Sequence, residues 1–417
     1  MKFCKTLSGM LFFCAMAIIS FTATAQDTLE LEVNGFVEVL GGLRLRDDPY
    51  EQDASVMEQR LQIECRGYAD AFDVQYRGDV YADWVLEEVK YDTRELWFFA
   101  RPTEYMDVKI GRQILTWGTG DLVFLNDLFP KDWQSFFIGR DPEYLKAPSD
   151  AVKLGFFSDI VNVDLVYTPQ FDPDRYITGE YISHWSPLSG SIAGDKAAMA
   201  VHTPDAWFDD HEIAIRVHKN VNNYEYALYG YRGFWKTPDY DALSRGKNHH
   251  RLHVYGGSVR GSVFSGIGNL ELAYYRSPDD SEGSDPSVSN SEIRGLIGYT
   301  QDIAKDCNLS VQYFLEAMLD YDRYEETAGE TKKDEYRHVL TIQATKLLLN
   351  QTLELSVPVY YSPSDNDGYL RPRITYDYTD DASFVIGGNL FFGDDSSTFF
   401  GQLKNNTNVY TAFRLTF

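Results

Sequence analysis

The chain has 417 residues and a formal charge of −25, from 63 acidic against 38 basic side chains. That excess excludes nucleic acid as a partner, because nothing would neutralise the phosphates. After the first 25 residues no run reaches the roughly 18 apolar residues of a transmembrane helix. The length is large for one ordinary soluble domain.

Lys2 and Lys5 precede the apolar run LFFCAMAIIS, and Ala23-Thr24-Ala25 follows. A basic start, a short apolar core and an A-x-A site predict a secretory signal peptide over 1–25. Cys14 lacks the small residues that would mark a lipoprotein. Cleavage takes two lysines off −25 and leaves −27 on residues 26–417, expected to form a single domain. An exported chain without an inner-membrane helix is periplasmic, secreted or in the outer membrane.

From residue 29 the chain alternates apolar and polar residues with period two. Leu29, Leu31, Val33, Val37, Val39 and Leu43 share one face, while Glu30, Glu32, Asn34 and Glu38 share the other. The pattern repeats over 56–70, 72–85, 91–101, 105–115, 151–158, 161–168, 211–219, 223–235, 250–264, 267–276, 291–303, 307–320, 335–347, 351–362, 368–379, 383–392 and 407–417. Period two predicts strands with one apolar and one polar face. Soluble strands average about five or six residues, whereas many of these reach the roughly 9–11 that cross a bilayer when tilted. About eighteen runs, with sixteen as the alternative count, fall in the range of outer-membrane barrels.

The connections sort by length. Gaps after even-numbered runs are short, such as Ala71 and Ser265-Gly266, and gaps after odd-numbered runs are mostly long, such as 116–150 and 169–210. Short periplasmic turns and long external loops belong to an outer-membrane barrel. The gap 363–367 is an exception. The expected fold is all-β: a transmembrane antiparallel up-and-down barrel in the outer membrane of a Gram-negative bacterium. Phe413, Leu415 and Phe417 share one face of the last run, and the chain ends on an aromatic. This resembles the C-terminal signal read by the barrel-assembly machinery.

A spanning sheet must close on itself, because hydrocarbon satisfies no backbone polar group. The apolar faces then meet lipid. The inner faces carry Glu38, Arg60, Glu64, Arg77, Asp79, Arg216, Arg294, Glu316, Arg371, Arg373, Asp377 and Arg414, which implies a hydrated lumen. Cys65 falls on a lipid face and Cys307 near a distant periplasmic turn, so both are expected to stay unpaired.

Residues 109–121 read KIGRQILTWGTGD. A hairpin turn near Thr103-Glu104 pairs Trp97 with Ile110 and Phe99 with Val108 on the lipid side. It also pairs Glu95 with Arg112, either above the hydrocarbon or turned inward by a bulge near Gly111. Trp117-Gly118-Thr119-Gly120-Asp121 then opens a loop over 116–150, rich in aromatics and in charge of both signs. Long loops in compact proteins are usually functional. In general porins the loop between strands five and six folds into the barrel and narrows it. The expectation is that 116–150 does the same, with Asp121, Asp127, Lys131, Asp132, Arg140 and Lys146 near the constriction; an external lid is the alternative. A nucleotide loop needs a different glycine spacing followed by a helix.

R-E-L at 94–96, G-R-Q at 111–113 and W-G at 117–118 together resemble a porin-like family of little-characterised outer-membrane proteins, more distantly similar to alginate-export barrels. The resemblance implies an outer-membrane channel, beside an inner-membrane exporter in some relatives, and names no substrate. Small polar solutes, outer-membrane lipid and lipopolysaccharide are the expected partners, with no cofactor and no metal. The acidic excess favours cations, while the lumenal arginines offer a local anion site.

Two other classes have weaker support. His184-Trp185-Ser186 has the one-apart spacing of a membrane hydrolase, but lies in a long loop, and no G-x-S-x-G elbow exists. A surface receptor or adhesin would use Trp185, Trp207, Trp235 and Tyr240 in the external loops. His249, His250 and His253 do not form a facing metal set. The acidic loops 278–286 and 320–326 suit weak calcium binding or solvation.

Overall fold

A computed structural model describes residues 29–195, 198–329 and 332–417; the signal peptide expected at 1–25 lies outside the described residues. Eighteen strands form the wall: β1 Glu30–Arg44, β2 Ala54–Tyr68, β3 Phe72–Asp83, β4 Glu88–Thr103, β5 Met106–Ile114, β6 Pro148–Phe156, β7 Asn162–Thr168, β8 Glu212–Val221 and β9 Tyr224–Phe234. The second half comprises β10 Arg251–Val263, β11 Gly266–Arg276, β12 Glu292–Ala304, β13 Cys307–Met318, β14 Tyr336–Leu348, β15 Leu353–Ser362, β16 in two pieces (Asp367–Leu370 and Arg373–Asp377), β17 Ala382–Gly393 and β18 Asn408–Thr416.

Each strand pairs antiparallel with the next, and β18 returns to β1 from Phe36↔Thr416 to Arg44↔Asn408. The sheet is therefore a closed eighteen-strand barrel, as the period-two runs predicted. Closure leaves no edge with unpaired backbone groups. Pro372 interrupts β16 because it has no N–H to give. Arg371 N and Gly388 N still reach Pro358 O and Pro372 O, each at 3.0 Å, so the wall stays sealed.

The burial pattern is inverted relative to a soluble sheet. On β1 the apolar Val33, Val37 and Val39 are 45–62% exposed, whereas Glu38 is 6% exposed. An apolar outside around a polar inside is stable only against hydrocarbon. The turns at one end span two to five residues, from Ala69–Ala71 to Tyr378–Asp381, and most connections at the other end are longer. No described helix is long and apolar enough to cross a membrane. Cys65 and Cys307 are free, on β2 and β13.

The hairpin register is corrected by one residue. The turn sits at Glu104-Tyr105, because a shift between Ala100 and Thr103 accommodates Pro102; the register then runs Leu96↔Arg112, Trp97↔Gly111 and Phe98↔Ile110. A slip of one residue exchanges the faces. Trp97 is consequently buried on the lumenal side, where its Nε1 donates to Glu95 at 3.2 Å. The expected Glu95–Arg112 pair does not form. Arg112 makes two 2.9 Å bonds to Asp150 on the opposite strand, and Glu95 faces Arg77 at 3.3 Å and Gln75 at 3.0 Å. The bulge lies at Arg94 rather than Gly111: Arg77 pairs with Glu95 and Gly78 with Thr93, leaving Arg94 over. Two consecutive residues, Arg94 and Glu95, thus both point inward, as a bulge permits.

Candidate functional site: the lumen and its inward loop

The connection 115–147 enters the barrel and bonds to its wall on several sides. Its first turn explains the glycines of Trp117-Gly118-Thr119-Gly120. Glu271 on β11 is 1% exposed and accepts from Thr119 N, Thr119 Oγ1 (2.7 Å), Gly120 N (3.0 Å), Asn126 N (3.2 Å) and Asn126 Nδ2 (2.7 Å). Gly118, at φ 83°, gives the left-handed step that turns these N–H groups to one side. The turn is an anion nest, and the anion it holds is the protein's own carboxylate. Asn269 Nδ2 fixes the same turn through Thr119 O at 3.0 Å. Asp121 accepts from Ser310 at 3.3 Å, and Gln312 accepts from Leu122 N at 3.3 Å.

The middle of the loop is α1, Trp133–Ile138. Asp132 caps it by accepting from Ser135 N at 2.7 Å, and Gly139 ends it at φ 103°. Phe136 and Phe137 press against Tyr369 and Phe391 on β16 and β17, with ring centroids 5.4–5.8 Å apart. Beyond the helix, Arg140 reaches Glu58 at 2.8 Å and Tyr144 OH donates to Asp79 at 2.7 Å. Arg60 joins Glu58 (2.7 Å) to Asp79 (2.6 Å), which completes a buried network on β2 and β3. Arg373 binds Asp141 at 2.9 Å; Arg371 donates to Arg140 O at 2.8 Å and Arg94 to Lys146 O at 2.9 Å.

These contacts divide the six loop residues expected near the constriction. Asp121, Asp127 and Lys146 line a cavity of about 480 Å³. Lys131 is instead tied to Asp127 at 3.0 Å, Asp132 caps α1, and Arg140 is enclosed in the Glu58 network. The opposite wall of the cavity comes from Arg260, Gln343, Glu354, Ser356, Tyr360, Arg371 and Arg373. Phe136, Phe137, Arg140 and Tyr144 occupy the β2–β3 and β16–β17 sides, and Leu125 and Phe129 pack among β7–β11, so the open space is eccentric, bounded by Arg260 of β10 and by β14–β16. Arg260, Gln343 and Glu354 were not singled out from sequence. Their period-two position marks the inner face, but nothing local marks the part of the wall left uncovered.

The remaining inward charges are mostly paired. Arg414 binds Glu38 at 2.8 Å, Arg77 binds Glu64 at 2.6 Å, Arg216 binds Glu225 at 2.6 Å, and Arg294 binds Glu292 (2.6 Å) and Glu316 (3.5 Å). Asp377 lies on the same face of β16 near the short-turn end. Phe413, Leu415 and Phe417 point outward, 39–57% exposed, beside the β18–β1 seam.

Several loop residues are structural. Trp235 is buried and donates to Ser277 at 3.0 Å, so it is not a surface sugar platform. His184-Trp185-Ser186 forms a short strand against Ser191–Ala193, correcting the loop expected there. Burial pushes the His184 imidazole down to about 4, which keeps it neutral. His249 Nδ1 lies 2.8 Å from Trp235 O, and its ring packs 4.9 Å from Phe171. Asp280 and Asp285 accept backbone N–H bonds from their own loop. Among the described residues no group of three or more His, Cys, Asp or Glu is placed to hold a metal ion.

The loop 45–53 carries a pH-sensitive group. Burial pushes the Glu51 carboxyl up to about 7; Arg44 opposes this, and Asp48 and Asp195 add to it. The folded loop therefore holds this proton more tightly than the unfolded chain. The contribution is fully present below about 4.5 and is lost as pH rises through about 7. Hydrogen exchange over 45–53, corrected for intrinsic rates, is expected to speed up across that window, and Glu51→Gln to flatten the response. An unchanged response in the variant would discard this assignment.

The fold and the lumen define the class: a closed transmembrane β-barrel with an inward loop and a polar cavity. Comparison with solved structures places the chain beside outer-membrane porins. OccD3 (OpdP) of Pseudomonas aeruginosa superposes with a TM-score of 0.56 at 10% identity, covering 95% of this chain and 93% of that one. OccAB1 of Acinetobacter baumannii gives 0.56 at 10% identity over 95% and 99%, and OccAB3 of the same organism gives 0.55 at 10% over 93% and 99%. At such identities the likeness is one of fold. No protein-family model matches the chain. No curated protein matches it either.

Proposed function

We propose that the protein is an outer-membrane channel passing small polar solutes, with 115–147 as its constriction. The carrying observation is the cavity of about 480 Å³ bounded by that loop and the inner wall. A dry, purely structural barrel would have no use for Arg260, Glu354, Lys146 and Asp121 facing one another across a space. The porin fold and the resemblance of R-E-L, G-R-Q and W-G to porin-like and alginate-export barrels support the same reading. On it, Phe413, Leu415 and Phe417 present the assembly signal, and an inner-membrane exporter is a partner to be sought. The barrel acts without chemistry of its own. The exposed pair Trp207 and Phe208, 49% and 65% exposed on the loop 169–211, favours a surface receptor as the second reading.

The test is conductance of the refolded protein in a planar bilayer. Stable openings are expected, and their absence from protein shown to be a folded barrel would reject the channel. Arg260 is exposed to the lumen and forms part of the cavity wall. Arg260→Gln removes one positive charge there and is expected to move the reversal potential in a salt gradient toward cation selectivity. A shift toward anions, or none, would remove Arg260 from the permeation path.

A further inference from the structure

The outer face of the barrel carries a cationic row at its long-loop end. Arg232 on β9 pairs in register with His253 on β10, and His253 with Arg276 on β11. Arg251 stands one step further out, opposite Phe234. On each strand the alternate residues are buried and inward: Tyr231, Leu252, Val254 and Tyr275. The arginines are therefore outward, and all three are exposed. Their guanidiniums have no carboxylate partner within ion-pair distance among the described residues. The loop acid Asp279 accepts the backbone N–H of Arg251 at 2.8 Å and lies 3.7 Å from His250. The Arg251 guanidinium lies 5.2 Å from the Phe234 ring centroid. This contrasts with Arg112, the outward arginine of β5, which Asp150 neutralises.

The row sits at a defined depth. One register step toward the short turns, Tyr255 pairs with Tyr274, and both are exposed. Below them the outward faces are apolar, with Leu228, Leu270, Leu272 and Ile297 exposed. Tyrosines mark the boundary between hydrocarbon and head groups. A step of two residues is about 7 Å along a strand, and neighbouring strands are about 5 Å apart. Three unpaired guanidiniums within that spacing, immediately outside the tyrosines, face the phosphate layer of the outer leaflet. On a strongly acidic chain such a row repels itself unless an anion covers it. On the same outer face, nearer the short turns, Val259, Leu270, Ile297, Val311 and Tyr313 of β10–β13 line an apolar hollow of about 800 Å³.

We propose that Arg232, Arg251 and Arg276, with His253 between them, form a binding site for the phosphate groups of a phosphorylated outer-leaflet glycolipid, its acyl chains lying along the apolar strands below. The proposal rests on the outer-membrane placement, but not on the chain being open to solutes. Guanidinium forks bind phosphate in bidentate fashion, and basic clusters at a membrane surface retain anionic lipids.

Native mass spectrometry of the full barrel in detergent tests this with three probes: lipid A bisphosphate, the same lipid stripped of phosphate, and phosphatidylglycerol. The wild-type protein is expected to retain lipid A bisphosphate at least about tenfold more tightly than either other probe, with retention falling as salt rises. R232Q/R251Q/R276Q is expected to lose that preference, and R232K/R251K/R276K to keep part of it. Equal retention of phosphorylated and stripped lipid by the wild type would overturn the site without recourse to any variant. Equal retention of phosphatidylglycerol would overturn the glycolipid assignment. A glutamine variant that binds lipid A within twofold of wild type would also overturn it. Conductance is recorded on the same preparations: silent but lipid-binding protein would count against the channel and leave the lipid site standing.

Discussion

Deleting residues 119–146 and bridging the gap with a short flexible linker is expected to enlarge the single-channel conductance severalfold. The deleted segment holds α1, with Phe136 and Phe137 against Tyr369 and Phe391, and the Arg140 and Tyr144 contacts that occupy the β2–β3 wall. Without it, a barrel of eighteen strands keeps a wide aqueous lumen. The wall itself closes through β18 and β1 and does not need the loop. Lumenal groups that lose loop partners, Glu58, Asp79 and Arg373 among them, become hydrated rather than buried, which limits the cost in stability. Folding is checked by heat-dependent migration on a gel. Openings of unchanged size from folded protein would keep the channel and reject 115–147 as its narrowest part.

Glu271→Ala is expected to free the first turn of the loop. Its carboxylate receives five hydrogen bonds from Thr119, Gly120 and Asn126, three of them from backbone N–H groups with no other acceptor shown. Removing the acceptor leaves these donors buried and unpaired, at a cost of about 3–5 kcal/mol in local opening. Hydrogen exchange at Thr119, Gly120 and Asn126 reads this directly, and conductance traces should become noisier as the loop samples more positions. Glu271→Gln keeps one acceptor oxygen and should fall between the two. Exchange at Gly120 as slow in the alanine variant as in the wild type would mean that Asn269, Asp121 and the apolar contacts of Leu125 hold the turn without Glu271.

Residues 117–120 show how far local sequence reaches. Trp117-Gly118-Thr119-Gly120 reads as a turn with exposed N–H groups, but the anion it binds comes from a strand about 150 residues away. No local spacing links Thr119 to Glu271. The Glu95–Arg112 expectation failed for a related reason. Register depends on where the turn falls and where a strand bulges, and Pro102 and Arg94 each displaced it by one residue. The inner cations Arg60, Arg77, Arg216 and Arg294 were legible because alternation alone assigns a face. Their carboxylate partners were legible only in part, since pairing needs register.

The sequence by itself determined a closed barrel of about eighteen strands, the two faces of most of them, the end carrying the long loops and the unpaired state of Cys65 and Cys307. These follow from period two and from connection length, both of which are local properties. Tertiary structure alone decided which of the six loop charges reach the cavity, that its other wall is Arg260, Gln343 and Glu354, and that Arg232, His253 and Arg276 stand in one outward row. Each of those depends on how strands far apart in sequence align around a closed wall, and closure is a property of the whole barrel rather than of any segment.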